Sequence, residues 1–566
     1  MPSVAWQVAA SAKRDELFAQ VPLDWKLDEY VVQSSQSPWK TIASVLSAGE
    51  LDITERPAHE LLHALRNGDL TASEVAFAFC HRAVLAHQMV RVTLFDLGEL
   101  DLPGAITRAR ELDEFWNTHH SPIGPLHGLP ISLMDRFHVA GLDTACGFAS
   151  WTQAKKSATD EGALVKTLRE LGAVLFCKTN VPMSMMAGRQ NCERIDPADY
   201  GFTDGPFNPD LSAGGACGGE GALLALKGSP LGIGTDVAGS SRIPSAFNGL
   251  WSLKSSEGRL PYSGVATVLR GLPISVGTIG LMSSSPDGLL EVFQNLLSAK
   301  PWLSDSNVLE LPWRQEKLDA IRKRKSQADR LPGRLVFGVM ASDGHVQPHP
   351  TVDRAILEVT QALQHSGYET VIWDPPPHAA AVETLFRIFG STAAAEARLA
   401  LNQSGEPPWY DNGDVEPSTS AEFWELCDKQ QQYQAQYASY WRSFTKRTRS
   451  ARIPDGVILP ATPHTASRHG DFHYFGYSAI ANVLDYPAAT FPVTVGDSEL
   501  DQVTKSLSWL SDVDARVQQT FDPQDVHGMP VGLQVMCPRL QEEQVLGLVE
   551  AISDALNRFK RFAGTY

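Results

Sequence analysis

Hydrophobic residues with a helical spacing open the chain and recur farther along it. Residues 5–21 and 58–88 carry apolar stripes at intervals of three and four positions, and the second stretch is interrupted at Gly68. Thr71 is followed three residues later by Glu74, which is typical of a capping box at the start of a helix. The pattern therefore predicts one helix before Gly68 and another after Thr71.

Beyond residue 125 the pattern changes to short apolar runs separated by glycine, proline and helical stretches. The runs that predict strands are residues 129–133, 173–177, 231–235, 335–339, 370–373, 456–459 and 530–536. Residues 161–171, 352–366 and 542–559 have the helical spacing. This alternation predicts an α/β fold with a large parallel or mixed sheet that is flanked by helices.

Composition and charge narrow the class of protein. The chain has 566 residues, of which 43% are hydrophobic, and its formal net charge is −17. This balance excludes fibrous and disordered classes, and the acidic surface argues against nucleic acid as a partner. The seven cysteines are scattered, without a CxxC pair, and no apolar run is long enough to span a membrane. We expect a cytoplasmic protein with no membrane span, structural metal or organic cofactor.

The densest glycine region is residues 211–244, LSAGGACGGEGALLALKGSPLGIGTDVAGSSRIP. Closely spaced glycines let several backbone N–H groups point at one spot, which suits a phosphate or a developing oxyanion. The phosphate interpretation is weak, because the segment has no GxxxxGK(S/T) pattern and Lys227 is not placed after the glycines as a phosphate-binding loop requires. Structural turn packing remains the alternative to a catalytic loop.

Six segments together resemble the amidase signature family, and most closely its fungal acetamidase-like branch. They are residues 128–135 (GLPISLMD), 178–182 (KTNVP), 214–221 (GGACGGEG), 228–244 (GSPLGIGTDVAGSSRIP), 484–488 (LDYPA) and 528–534 (GMPVGLQ). The resemblance implies one α/β/α domain over residues 1–566 around a large twisted mixed sheet. Within it we expect a helical segment at 1–120, a signature core at about 125–295 and a further part of the same sheet at about 330–566.

The same resemblance implies hydrolysis of amide C–N bonds by a Ser–cis-Ser–Lys triad. A buried neutral lysine takes a proton through a bridging serine from the nucleophilic serine, whose attack is stabilised by backbone N–H groups. The GTDVAGS motif places Ser240 at the nucleophile position and implies oxyanion-hole amides at Val237, Ala238 and Gly239. Ala238 stands where the family has glycine, so a positive φ there would strain the loop.

Two of the three triad positions carry residues that cannot perform this chemistry. Met134 stands at the lysine position and Ala216 at the bridging serine, with Cys217 in place of the serine that follows. A thioether of similar size fills the lysine slot but offers no basic nitrogen, and alanine has no hydroxyl to relay a proton. Asp236 and Arg242, which flank the nucleophile position, are expected to support the loop together with Cys217.

We therefore expect the ancestral hydrolysis to be lost or redirected. One alternative is a binding or scaffolding pseudoenzyme, and another is a biosynthetic enzyme, for example of secondary metabolism, that uses the old pocket without hydrolysis. A third alternative is an active amidase with a substitute base: Cys217, His138 or His473. Asp135 is a poor candidate, because strand alternation aims it away from Met134. The expected partner is a small amide- or ester-like ligand, and the resemblance also implies a homodimer.

Overall fold

A mixed β-sheet of eleven strands forms the centre of the structure. The computed structural model describes residues 5–35, 37–90, 98–183, 203, 205–326, 334–407, 416–503 and 508–563. The strands are β1 (Glu99–Leu100), β2 (Pro130–Met134), β3 (Val174–Thr179), β4 (Leu231–Asp236), β5 (Trp251–Lys254), β6 (Thr278–Ser283), β7 (Val336–Val339), β8 (Glu369–Ile372), β9 (Gly456–Pro460), β10 (Ala488–Val495) and β11 (Pro530–Met536). Their order across the sheet is β1-β3-β2-β4-β6-β5-β10-β11-β9-β7-β8.

Both parallel and antiparallel pairs occur in this sheet. Strand β2 lies parallel to β3 and to β4, whereas β4 runs antiparallel to β6 and β5 runs antiparallel to β10. Every residue of β2 and β4 is buried, which explains why these strands are mainly apolar and small residues, apart from Thr235 and Asp236 at the end of β4. The predicted mixed sheet is confirmed, while the division of the chain into domains stays a prediction.

Helices flank the sheet and connect its strands. In the first half of the chain they are α1 (Ala5–Ala19), α2 (Glu29–Ser34), α3 (Pro38–Val45), α4 (Ala48–Glu55), α5 (Ala58–Asn67), α6 (Ala72–Val90), α7 (Leu102–His119), α8 (Ala163–Glu170), α9 (Gly218–Ala225) and α10 (Arg242–Phe247). In the second half they are α11 (Pro286–Ser298), α12 (Gln315–Lys325), α13 (Pro350–His365), α14 (His378–Phe389), α15 (Ala395–Ser404), α16 (Ser420–Ser443), α17 (Gly476–Val483), α18 (Asp512–Gln519) and α19 (Glu542–Ala563).

The predicted break between α5 and α6 is confirmed in detail. Helix α5 ends at Gly68, whose φ of 75° is the left-handed conformation that glycine adopts without strain. The Glu74 N–H donates to the Thr71 hydroxyl at 3.2 Å, and the Thr71 N–H donates to the Glu74 carboxylate at 2.9 Å. This reciprocal pair is the capping box expected from the sequence.

The sheet brings the signature motifs to one edge. Because β2 and β4 are parallel neighbours, their carboxyl ends meet there, and the segment from Val237 to Ser240 follows β4 directly. Helix α10 then begins at Arg242, and helix α9 begins just after Cys217. The candidate site therefore lies where two parallel strands end and two helices begin.

Candidate active site

A buried ion pair fixes both ends of the loop after β4. Asp236 is the last residue of that strand and Arg242 is the first residue of α10. Arg242 Nε donates to Asp236 Oδ2 at 3.0 Å, and Nη2 donates to Oδ1 at 2.8 Å. Burial acts to raise the pKa of Asp236, but the Arg242 guanidinium outweighs it and lowers that pKa to about 2. The pair is therefore ionised at neutral pH, as a loop-holding role requires.

Helix α17 and strand β11 extend this support. The second terminal nitrogen of Arg242, Nη1, donates to the Ser478 carbonyl at 2.8 Å and to Gln534 Oε1 at 2.7 Å. Asn482 accepts from Arg242 Nη2 at 2.7 Å and donates to Asp236 Oδ1 at 3.1 Å. Several hydrogen-bonded partners thus restrain the loop from outside, which is how a site is kept rigid in the absence of ligand.

The backbone N–H groups of this loop fall into two sets. Gly239 adopts a φ of 116°, and its N–H donates inward to Asp236 Oδ1 at 2.9 Å. The N–H groups of Val237, Ala238 and Ser240 donate to no acceptor in the described part of the chain. Of the three amides expected to form an oxyanion hole, Gly239 is therefore committed to Asp236, and the Ser240 amide joins Val237 and Ala238 as an available donor.

Ala238 fits the loop without the strain considered above. It is not among the described non-glycine residues with positive φ, so its methyl group has no left-handed conformation to oppose. Its carbonyl accepts a hydrogen bond from the Ser478 hydroxyl at 2.6 Å. The substitution of glycine by alanine at this position is compatible with the loop geometry.

Ser240 lies half-buried at the end of the loop. Its carbonyl accepts a hydrogen bond from the Cys217 N–H at 3.2 Å, which joins the loop to the start of α9. Its hydroxyl makes no hydrogen bond to any residue that the structure describes. The group at the nucleophile position is therefore placed beside the second motif but is not paired with a base.

Met134 occupies a closed slot at the end of β2. The side chain is fully buried, and its Sδ accepts hydrogen bonds from the Cys217 thiol at 3.5 Å and from the Thr235 hydroxyl at 3.4 Å. The Cys217 thiol also lies 3.4 Å from the Thr235 carbonyl oxygen. Weak sulfur contacts thus surround the position where the resemblance implies a lysine amine.

The segment around Ala216 has also become part of the core. Ala216 is 2% exposed, and it belongs with Met134 and Cys217 to the largest cluster of buried hydrophobic residues. Burial raises the pKa of the Cys217 thiol well above its usual range. Cys217 is therefore a neutral thiol at physiological pH, and neither residue can relay a proton from Ser240.

Comparison with known proteins agrees with this architecture. The Amidase family model matches residues 74–546. This protein belongs to the Amidase family.

Its relatives cover nearly the whole chain. It is 36% identical over 561 residues to an acetamidase of Aspergillus oryzae, covering 98% of this chain and 100% of the relative. An acetamidase of Emericella nidulans is 35% identical over 559 residues, with 98% of each chain covered. Among solved structures, fatty acid amide hydrolase superimposes with a TM-score of 0.88 at 27% identity, covering 97% of this chain and 95% of that chain. The amidase signature fold expected from the motifs is thereby confirmed.

Among the described residues, no helix is both long enough and apolar enough to cross a membrane.

Two charged groups near the amidase-family lysine position are engaged elsewhere. Asp135 forms an ion pair with Lys178 at 2.6 Å, and its Oδ2 accepts the N–H groups of Ala145 and Cys146. The Lys178 ammonium also donates to the Thr144 hydroxyl at 2.9 Å. Asp135 thus points away from Met134, as strand alternation predicts, and Lys178 is fully bonded within its own cluster.

The histidines considered as substitute bases are not hydrogen-bonded to Ser240 either. Burial, aided by neighbouring positive charges, lowers the pKa of His138 to about 4. His473 also has a lowered pKa from burial, and its backbone N–H donates to His464 Nε2 at 3.3 Å. Within the described ranges, no contact joins either imidazole to the Ser240 hydroxyl.

A further buried lysine, Lys254, lies on β5 and is separated from β2 by β4 and β6. Its ammonium donates to the carbonyl oxygens of Ser255 at 3.0 Å and Tyr486 at 3.2 Å, and burial lowers its pKa. Two intervening strands keep this amine away from the Met134 slot, so it does not replace the family lysine.

Two buried residues beside the site were not singled out from the sequence. Glu220, on α9, accepts hydrogen bonds from the hydroxyls of Ser132 at 2.5 Å and Thr179 at 2.9 Å. Arg136 follows β2 and donates to the Thr235 hydroxyl at 2.7 Å. Glu220 lies within the 214–221 segment, but nothing in the sequence shows what either side chain contacts, because their partners come from strands that are distant in sequence.

Proposed function

We propose that this protein binds a small amide- or ester-like ligand in an amidase-family site that no longer hydrolyses it by the family mechanism. One observation carries the proposal: the sulfur of Met134 fills the lysine slot and is contacted there by Cys217 and Thr235. The Met134 side chain is fully buried, and none of the described atoms in contact with its sulfur is a base at neutral pH.

The expected loss of amide hydrolysis follows from the need to remove the Ser240 hydroxyl proton. Serine attacks a carbonyl only when a base removes its hydroxyl proton. The residues at the expected base and relay positions offer a thioether and a methyl group, and Cys217 beside them is a neutral thiol. Members of such a triad act as a unit, and their removal costs on the order of 10⁴–10⁶ in kcat. Turnover of simple amides should therefore fall to background.

The proposed binding rests on the part of the site that is retained. Asp236 and Arg242 hold the loop, and the N–H groups of Val237, Ala238 and Ser240 are available as donors to a carbonyl oxygen. Each such hydrogen bond contributes about 1 kcal/mol. A preorganised set of donors binds a carbonyl ligand even when no base is present to start a reaction.

A thermal-shift titration with benzamide tests the proposal. A ligand at about 100 times its Kd should add about 2.7 kcal/mol to the free energy of unfolding. Ser240→Ala should keep the shift, since the hydroxyl is not required for binding. Gly239→Ala should lose it, because a Cβ there would lie 2.4 Å from Ser478 and distort the loop.

Gly271→Ala is the matched control, because Gly271 also has a positive φ, of 76°, but a Cβ there meets no atom within 4 Å. Intact-mass analysis after treatment with a fluorophosphonate should find no adduct on Ser240. A rapid adduct on Ser240, or a benzamide shift that Gly239→Ala leaves unchanged, would argue against the proposal.

We also propose that the protein is cytoplasmic and that it forms a homodimer. The acidic charge and scattered cysteines support the compartment. Light scattering on the purified protein measures the oligomeric state directly.

A further inference from the structure

Four arginine side chains in the described part of the chain are fully buried, and one of them differs from the others. Arg82 pairs with Glu55 at 2.9 Å, Arg242 with Asp236 at 2.8 Å, and Arg259 with Glu542 at 3.2 Å and Glu543 at 2.7 Å. Arg136 is 1% exposed and forms no ion pair with any described carboxylate. Among the described residues, Arg136 is therefore a buried guanidinium without a counter-ion.

Most of the hydrogen-bonding capacity of Arg136 is unused. A guanidinium has five N–H donors. Arg136 Nε donates to the Ala266 carbonyl at 2.8 Å, and Nη1 donates to the Thr235 hydroxyl at 2.7 Å. Nη2 and the second N–H of Nη1 have no acceptor in the described part of the chain. These terminal N–H groups form the fork that receives a carboxylate side by side.

This arrangement is costly for a folded protein. Arginine stays protonated at physiological pH, so it cannot relieve burial by losing its charge. An unpaired charge inside a protein costs several kcal/mol, and proteins rarely keep one without a partner. The adjacent acid, Asp135, is already paired with Lys178. An anion from outside the chain would supply the missing charge.

Arg136 lies next to the candidate site. The Thr235 hydroxyl accepts from Arg136 and donates to the Met134 sulfur, so one hydroxyl group separates the guanidinium from the old lysine slot. Arg136 follows the carboxyl end of β2, and Thr235 lies near the carboxyl end of β4, at the edge where the Val237–Ser240 loop begins. The ring of Tyr262 lies 6.0 Å from the guanidinium carbon.

We propose that Arg136 binds the carboxylate of the ligand, so that the ligand carries an anionic group as well as its amide or ester. The inference rests on the proposed function, because it assigns a charge to the ligand of the same site. The loop amides receive the carbonyl oxygen, and the Arg136 fork receives the carboxylate. Met134 is then a neutral neighbour of the Arg136 guanidinium, whereas a protonated lysine at that position would repel it.

Calorimetric titration with a matched pair of ligands tests this assignment. Succinamate carries one amide and one carboxylate, whereas succinamide has the same length without the charge. We expect succinamate to bind the wild-type protein about tenfold more tightly than succinamide, the factor that a single charged hydrogen bond supplies. Arg136→Gln should remove this preference and change the affinity for succinamide less than twofold. Arg110→Gln, at an exposed position on α7, is the control and should leave the preference intact.

The outcomes separate this inference from the proposed function. Equal affinities for the two ligands, or a preference that Arg136→Gln retains, would overturn the role of Arg136 while leaving the binding function in place. Hydrolysis of both amides would overturn the binding function, and the ratio of their kcat/KM values would then report on Arg136. Failure of both to bind would overturn the inference. If Arg136→Gln does not fold, the Tm of the wild-type protein provides the test. It is measured in sodium succinamate and compared with succinamide and with sodium chloride at equal ionic strength. The absence of extra stabilisation by succinamate would overturn the inference.

Discussion

The Sγ of Cys217 lies 3.5 Å from the Sδ of Met134, and both side chains are fully buried. Met134 lies in the 128–135 segment and Cys217 in the 214–221 segment. The amidase resemblance implies a catalytic lysine in the first segment and a bridging serine in the second. Here the same approach of β2 to the start of α9 produces a sulfur contact inside the core. The structure thus brings the two segments together, but the contact between them is made by sulfur atoms.

Cys217 should be unreactive in the native protein. Its pKa is raised by burial, and thiolate formation requires solvent access that the core denies. Cys427, on α16, is only partly buried and should react first with iodoacetamide at pH 8. Mass spectrometry of peptides should find Cys217 alkylated about 100-fold more slowly, the factor set by an opening free energy of about 2.7 kcal/mol. Equal rates at the two cysteines would show that the slot is open.

The double substitution Met134→Lys with Ala216→Ser should create amide hydrolysis. The loop, its ion pair and three free N–H groups are in place, so restoring base and relay completes the triad. We expect ammonia release from benzamide at least about 100-fold above wild type, and neither single change should suffice because the triad acts as a unit. Adding Ser240→Ala should abolish the gain. A folded but inactive double variant would mean that the pocket has changed beyond the triad.

Glu220 should make stability fall as the pH rises. Burial raises its pKa to about 8 from 4.5, so the folded protein holds a proton that the unfolded chain has lost between these values. The stabilisation is complete below pH 4.5 and is lost as the pH rises through 8, by at most about 1.4 kcal/mol per pH unit. Urea denaturation of wild type and Glu220→Gln at pH 5.5 and 7.5 measures it. The variant should lack this part of the slope, and parallel curves would contradict the assignment.

His378 should have the opposite effect, at acid pH. Both ring nitrogens are buried and have no hydrogen-bond partner among the described residues, and burial lowers the pKa to about 4 from 6.5. The unfolded chain therefore binds a proton first as the pH falls, and stability is lost between about 6.5 and 4. His378→Phe should remove this loss, so the variant should gain on wild type by up to about 1.4 kcal/mol per pH unit in that range. The prediction would be contradicted if the free energies of unfolding of variant and wild type differed by the same amount at pH 7.5 and at pH 4.5.

Much of the fold could be predicted from local pattern. The sequence predicts strands β2, β4 and β11 from short apolar runs, and the structure buries every residue of these strands. It predicts the capping box at Thr71 from the spacing to Glu74. Strand β10 was not predicted, because Pro492 within it argues against a central strand. The structure places that proline at a shift in the register between β10 and β11. Helix α16 was also missed, because only four of its 24 residues are buried.

The site was predictable only as far as the motifs reach. The positions of Met134, Ala216 and Ser240 follow from segments that are continuous in sequence. The hydrogen bonds of Arg136 and Glu220 depend on which strands lie side by side, because their partners Thr235 and Thr179 are distant along the chain. The inward direction of the Gly239 N–H likewise depends on the position of the Asp236 carboxylate. Neither relationship has a local signal.

Amide turnover by the purified wild-type protein shows whether any group acts as a base toward Ser240. Ammonia release from acetamide and benzamide should equal that of Ser240→Ala at every substrate concentration. Turnover of about 1 s⁻¹ or more, the range usual for enzymes, that Ser240→Ala abolishes would contradict the proposed absence of a base.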